Sequence, residues 1–160
     1  MYRKILLTHD GSELAGNAVS HATALAKATG AEVVVLQVVD SVSQLMAQMT
    51  TGAIEPLPAG QVTVEIAEES VASQHADAEE NLGAVKAALE AEGVQNVRVI
   101  VAEGRPQDAI IDAVNELDCD LVVMATRGRT GLGRALLGSV ADHVVRNTPK
   151  AAVLLIRPGE

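Results

Sequence analysis

Several short runs in this chain are apolar at nearly every position, and they come at intervals that leave room for a helix between them. They are Tyr2 to Thr8, AEVVVLQVV at 31–39, CDLVVMAT at 119–126 and AAVLLIR at 151–157. A strand with one wet face alternates apolar and polar residues, whereas an almost continuous apolar run needs cover on both faces. Such cover is what crossover helices on the two sides of a parallel sheet provide.

The intervening segments repeat at helical spacing. Leu14, Ala18, Ala22 and Leu25, with Ala15, Val19 and Ala26 beside them, precede Gly30. Ala78, Leu82, Val85 and Leu89 form a stripe in a helix expected over about 67–91. VQNVRVIVAEG at 94–104 reads as the third strand, and Pro106 suits the first turn of the helix after it. Ala109, Ile110, Ala113, Val114 and Leu117 mark that helix, and SVADHVVRNT makes a last one that Pro149 stops. The pattern predicts an α/β fold, a doubly wound five-stranded parallel sheet in a single domain over 1–160. Right-handed crossovers then gather the strand C-termini on one edge, where ligands of such sheets bind at the reversal of strand order.

Residues 41–66 fit this alternation least and read as a variable insertion. VSQLMAQM suits a short helix, with Met46 and Met49 as packing residues, and TTGAIEPLPAG suits a loop. Shielding a site and touching a second subunit are both open roles for it.

Composition narrows the function. Hydrophobic residues make up 48% of the chain and aromatics 1%, so Val, Ile, Leu and Ala must build the core, and stacking platforms for single-stranded nucleic acid are missing. Acidic residues outnumber basic ones 21 to 12, giving a net charge of -9, which argues against nucleic acid as a partner. Cys119 is the single cysteine, expected at the start of a buried strand; it excludes an internal disulfide and a cysteine-rich metal site. No run approaches the roughly 20 apolar residues of a membrane span, and MYRKILLTHD lacks a signal-peptide core, so a cytoplasmic location is expected.

MATRGRTGLGRALLGS, residues 124–139, places four glycines and the arginines Arg127, Arg129 and Arg134 between the fourth strand and the last helix. Ser139 and Asp142 have the spacing of a capping box, which predicts a helix start whose free N–H groups can take an anion. Gly128 and Gly138 would turn the backbone on either side, outlining a phosphate nest. The run is not a Walker loop, and Leu136 stands where a GxGxxG motif needs its last glycine. Asp10, after the first strand, can accept hydrogen bonds from a sugar hydroxyl or an adenine amino group, or simply make an Asx turn or helix cap. His9 is expected to be a packed or surface residue in preference to a catalytic one, since neighbouring strand residues point to opposite faces unless a turn begins there. His21, His75 and His143 have no metal spacing.

On these residues the chain resembles the universal stress protein family, whose nucleotide-binding branch carries G-x2-G-x9-G-[ST]. Gly128, Gly138 and Ser139 match the later part, and Ala125 stands at the first glycine. THDGS at 8–12, VVD at 38–40, EGRP at 103–106 and LLGSVADHVVRNTPKAAVLLI extend the likeness over essentially the whole chain. The resemblance implies an adenine-nucleotide alpha-hydrolase-like fold and a site made by Asp10, Gly11, Ser12, Val38 or Val39, Gly104, Ala125, Arg127, Gly128, Arg129, Gly138, Ser139 and Val140. It implies ATP as ligand, with Mg²⁺ or Mn²⁺ carried by the phosphates, and a homodimer through residues 151–157. The function it implies is an ATP-binding stress-response regulator, with slow hydrolysis or autophosphorylation open and no residue marked to align a water. A nucleotide-independent dimeric interaction protein and an AMP or cyclic-nucleotide sensor are the alternatives.

Overall fold

The structure is a computed structural model and describes residues 1–52, 61–126 and 138–157. Its strands are β1 (Lys4–Thr8), β2 (Glu32–Val39), β3 (Val97–Glu103), β4 (Leu121–Ala125) and β5 (Ala152–Ile156). They form one sheet in the order β3-β2-β1-β4-β5, parallel in every pair. The helices are α1 (Glu13–Thr29), α2 (Val42–Gly52), α3 (Gln61–Ala91), α4 (Pro106–Leu117) and α5 (Ser139–Asn147). The doubly wound α/β architecture expected from the apolar runs is the one observed.

Strand alternation explains why those runs are apolar throughout. Ile5, Leu7, Val33, Val35, Leu121 and Val123 turn to one face, against Ala18, Ala22 and Ala26 of α1 and Leu82, Val85 and Leu89 of α3. Their neighbours Leu6, Val34, Leu36, Val122 and Met124 turn to the other, against Ile110 and Val114 of α4 and Ala141 and Val144 of α5. Each face removes a full row of aliphatic side chains from water, the main favourable term in folding. Cys119 is buried just before β4, and burial pushes its thiol up to about 11.

Three helix boundaries differ from the sequence reading. The third helix begins at Gln61 instead of near 67, and α2 reaches Gly52, so much of the 41–66 region is helical. At α5 the cap is Gly138, with Ser139 the first helical residue. Asp142 N–H donates to Gly138 O, and the Asp142 carboxylate accepts from Arg146 Nε at 2.9 Å instead of closing a box with Ser139. That bond, one turn along the exposed face, holds the Asp142 carboxyl below its usual range.

The strand order sets the position of the site. From β1 the chain crosses by α1 to β2 on one side, while β4 lies on the other side of β1. The C-terminal ends of β1 and β4 therefore flank the reversal point of the sheet.

Candidate functional site

β1 ends at Thr8, and the next residues turn sharply into α1. His9 N–H continues the ladder by donating to Leu36 O at 2.9 Å. Asp10 Oδ1 then accepts from the Ser12 N–H at 3.0 Å and from the Ser12 hydroxyl, an Asx turn. Gly11, between them, has φ +79°, a left-handed conformation that a side chain would strain. Ser12 caps α1 by accepting from Ala15 N–H at 3.2 Å. The Asx turn and the helix cap considered for this stretch are both present, divided between Asp10 and Ser12.

Above this turn lies a cavity of about 220 Å³ at the sheet reversal. Its apolar wall comes from Leu36 and Val38 of β2, Ile110 of α4, Met124 and Ala125 of β4, and Val140 of α5; His9, Asp10 and Ser12 supply its polar edge. An apolar slot with a few polar groups on one rim suits a flat heterocycle carrying a polar substituent.

The N-terminus of α5 adjoins that wall through Val140. Gly138 there has φ -58°, so its backbone does not require glycine. A Cβ placed on it would lie 3.7 Å from Thr126 Oγ1, an ordinary contact. Thr126 is 5% exposed, and its hydroxyl has no hydrogen-bond partner among the described residues. A buried hydroxyl in that condition is uncommon and costly. The first-turn N–H groups of a helix have no acceptor within it, and beside a buried hydroxyl they make a donor-rich corner suited to an anion.

His9 is 8% exposed, and its Nδ1 accepts from Gly11 N–H at 3.1 Å. Burial lowers its pKa from the usual histidine value, with Asp10 pulling weakly the other way. Of the packed and surface places open to it, it takes the packed one, yet it also edges the cavity with Asp10, because the strand has ended and a turn begun. Elsewhere, His75 Nε2 meets Glu103 Oε1 at 2.8 Å and His143 Nε2 lies 3.9 Å from Asp108. Among the described residues no three His, Cys, Asp or Glu side chains converge as metal ligands.

The sequence model of the Universal stress protein family matches residues 1–157. The chain belongs to that family. It is 34% identical over 158 residues to Universal stress protein MJ0531 of Methanocaldococcus jannaschii, covering 99% of this chain and 84% of that one. The solved structure of the protein MJ0577 superposes with a TM-score of 0.76 at 26% identity, covering 100% of this chain and 99% of that one. A universal stress protein solved in complex with cAMP shares the fold, with a TM-score of 0.66 at 21% identity, covering 99% and 98%.

For this universal stress protein the structure brings together Asp10, Ser12, Val38, Ala125 and Val140 on the cavity wall, with Gly11, Gly138 and Ser139 next to it in the chain. Of the two valines, Val38 faces the cavity, while alternation turns Val39 to the opposite face, where it is 6% exposed. Gly104, with φ +118°, donates its N–H to Val39 O at 3.0 Å and does not line the cavity. Arg127, Gly128 and Arg129 lie outside the described residues. Sequence reasoning missed Thr126, although it sits inside the quoted glycine-rich stretch, and Pro106 and Ile110, which enter from the start of α4.

Proposed function

We propose that this universal stress protein is an ATP-binding stress-response regulator. The observation that carries the reading is the cavity at the sheet reversal, bordered through Val140 by the start of α5, where the Thr126 hydroxyl has no partner among the described residues. In this reading the base enters the aliphatic slot between Val38 and Val140, and Asp10 accepts from the nucleoside. The phosphates rest on Gly138, Ser139 and Thr126, with Gly128, Arg127 and Arg129 assigned to the same end by the sequence motif. Mg²⁺ or Mn²⁺ belongs to the phosphate oxygens. Of the two titratable side chains that line the cavity among the described residues, His9 has its Nδ1 engaged and Asp10 shapes the turn, and slow hydrolysis or autophosphorylation stays open in this reading. The same reading takes β5 as the edge of a homodimer.

Gly138→Ala tests the assignment. The methyl group has room against Thr126, so the fold is kept, while it stands where a phosphate would approach the helix start. Calorimetric titration of nucleotide-free protein with ATP and Mg²⁺ should show one site per chain, weakened about tenfold or more in Gly138→Ala. Equal affinity in the two proteins would sink the phosphate placement.

AMP or a cyclic nucleotide is the second reading, favoured by the fold neighbour solved with cAMP. Tighter binding of cAMP or AMP than of ATP in parallel titrations would select it.

A further inference from the structure

The turn that carries Asp10 is fastened from behind by a polar relay that runs from the sheet to α3. Asn81, near the middle of α3, directs its amide nitrogen at two acceptors at once: His9 Nδ1 at 3.1 Å and Gln37 Oε1 of β2 at 2.6 Å. Both hydrogens of the amide are thereby used. His9 Nδ1 also receives the Gly11 N–H, and a backbone amide can only donate, so Nδ1 carries no proton and Nε2 does. Gln37 closes the arrangement from the other side, its Nε2 lying 3.8 Å from where a Gly11 side chain would begin. His9 and Asn81 are 72 residues apart in the chain.

We infer that His9, fixed in its neutral Nε2–H form by Asn81, is a positioning residue that sets the Asp10–Gly11–Ser12 turn for the nucleoside and so couples α3 to the nucleotide site. The inference rests on the nucleotide reading above. It assigns His9 no contact with the reacting part of a ligand. A proton added to Nδ1 would face two N–H donors, so the relay exists only while the ring is neutral. Asn81 of α3, which meets the ring, and Gln37 of β2, which holds Asn81, are uncharged; the charge acting on the ring is that of Asp10.

The test compares the full chain with His9→Leu, Asn81→Ala and His9→Asn, the last placing an acceptor oxygen near the position of Nδ1 without a titrating ring. ATP with Mg²⁺ and inorganic tripolyphosphate are titrated into each, and hydrogen exchange of the Gly11 amide is followed without ligand. His9→Leu and Asn81→Ala should weaken ATP about tenfold and leave tripolyphosphate unchanged. His9→Asn should bind ATP within about threefold of the parent. Gly11 exchange should speed up in His9→Leu and return in His9→Asn. Unchanged ATP affinity in both disrupting variants, or a parallel loss of tripolyphosphate binding, overturns the positioning role. If the parent binds no adenine nucleotide, the nucleotide reading falls and the coupling to ligand with it. Gly11 exchange unaltered in His9→Leu instead removes the relay whatever the ligand result.

Discussion

Thr126 lies one residue past β4, and its N–H is satisfied by Ile156 O at 2.9 Å, so the backbone there is fixed by the sheet. Its hydroxyl is what the fold leaves unpaired among the described residues. Such a group costs stability in the free protein and repays it when an acceptor arrives. Thr126→Val, which keeps the branched shape and removes the hydroxyl, is therefore expected to act with opposite signs on the two states. Ligand-free stability should rise by about 1 kcal/mol, and ATP affinity should fall by roughly threefold to tenfold. Denaturant midpoints and calorimetric titration of the same samples check both signs. A variant less stable than the parent without ligand would show that the hydroxyl has a partner of its own, and its assignment to phosphate would fail.

At the scale of elements, α3 is the helix on which the most depends. It runs from Gln61 to Ala91, lays Leu82, Val85 and Leu89 on the sheet, and carries Asn81 on the residue just before the fully buried Leu82. Leu82→Ala should cost about 2–5 kcal/mol by loss of burial and the cavity left behind, measured as a shift in the urea midpoint with an unchanged slope. A loss below about 0.5 kcal/mol would mean that the neighbouring aliphatic residues collapse into the space. The stripe that marks this helix was readable in the sequence because its core positions are apolar at a fixed period. Its first turn was not: Val62, Thr63 and Val64 are poor helix formers, and threonine, glycine and proline before them read as loop. The same division runs through the site. Asp10, Gly138 and Val140 follow from their places at strand and helix ends, which pattern and motif reveal. Asn81 meeting His9 does not, because a hydrogen bond across 72 residues is created by packing and leaves no periodic trace. The cap of α5 shows a subtler failure: the serine and aspartate have the right spacing, but Arg146 one turn further on takes the aspartate.

At the scale of the whole molecule, the sheet has two ends, β3 and β5, both with half-covered aliphatic residues, and it is the likeness to the family that points to β5. β4 is buried along Leu121 to Met124, whereas Val153, Leu154 and Leu155 of the adjoining β5 are only partly covered. Aliphatic side chains left half covered on an edge strand, with backbone groups directed outward, are what a second copy of the chain would pair with. If the proposed homodimer uses this edge, the outward amides of β5 gain protection from hydrogen exchange at high protein concentration and lose it on dilution. The edge amides of β3 exchange at one rate throughout and serve as the internal control. Electrostatics adds a second signature, because each copy carries a net charge of -9 and two copies repel. Raising salt from about 0.01 M to 0.15 M shortens the screening length from about 30 Å to about 8 Å, so association should tighten. Sedimentation equilibrium at both salt concentrations gives the mass, and exchange read by NMR gives the edge. Concentration-independent exchange in β5 together with a monomeric mass at both salts would remove the dimer while leaving the nucleotide assignment intact, since the cavity lies at the ends of β1 and β4, within one chain.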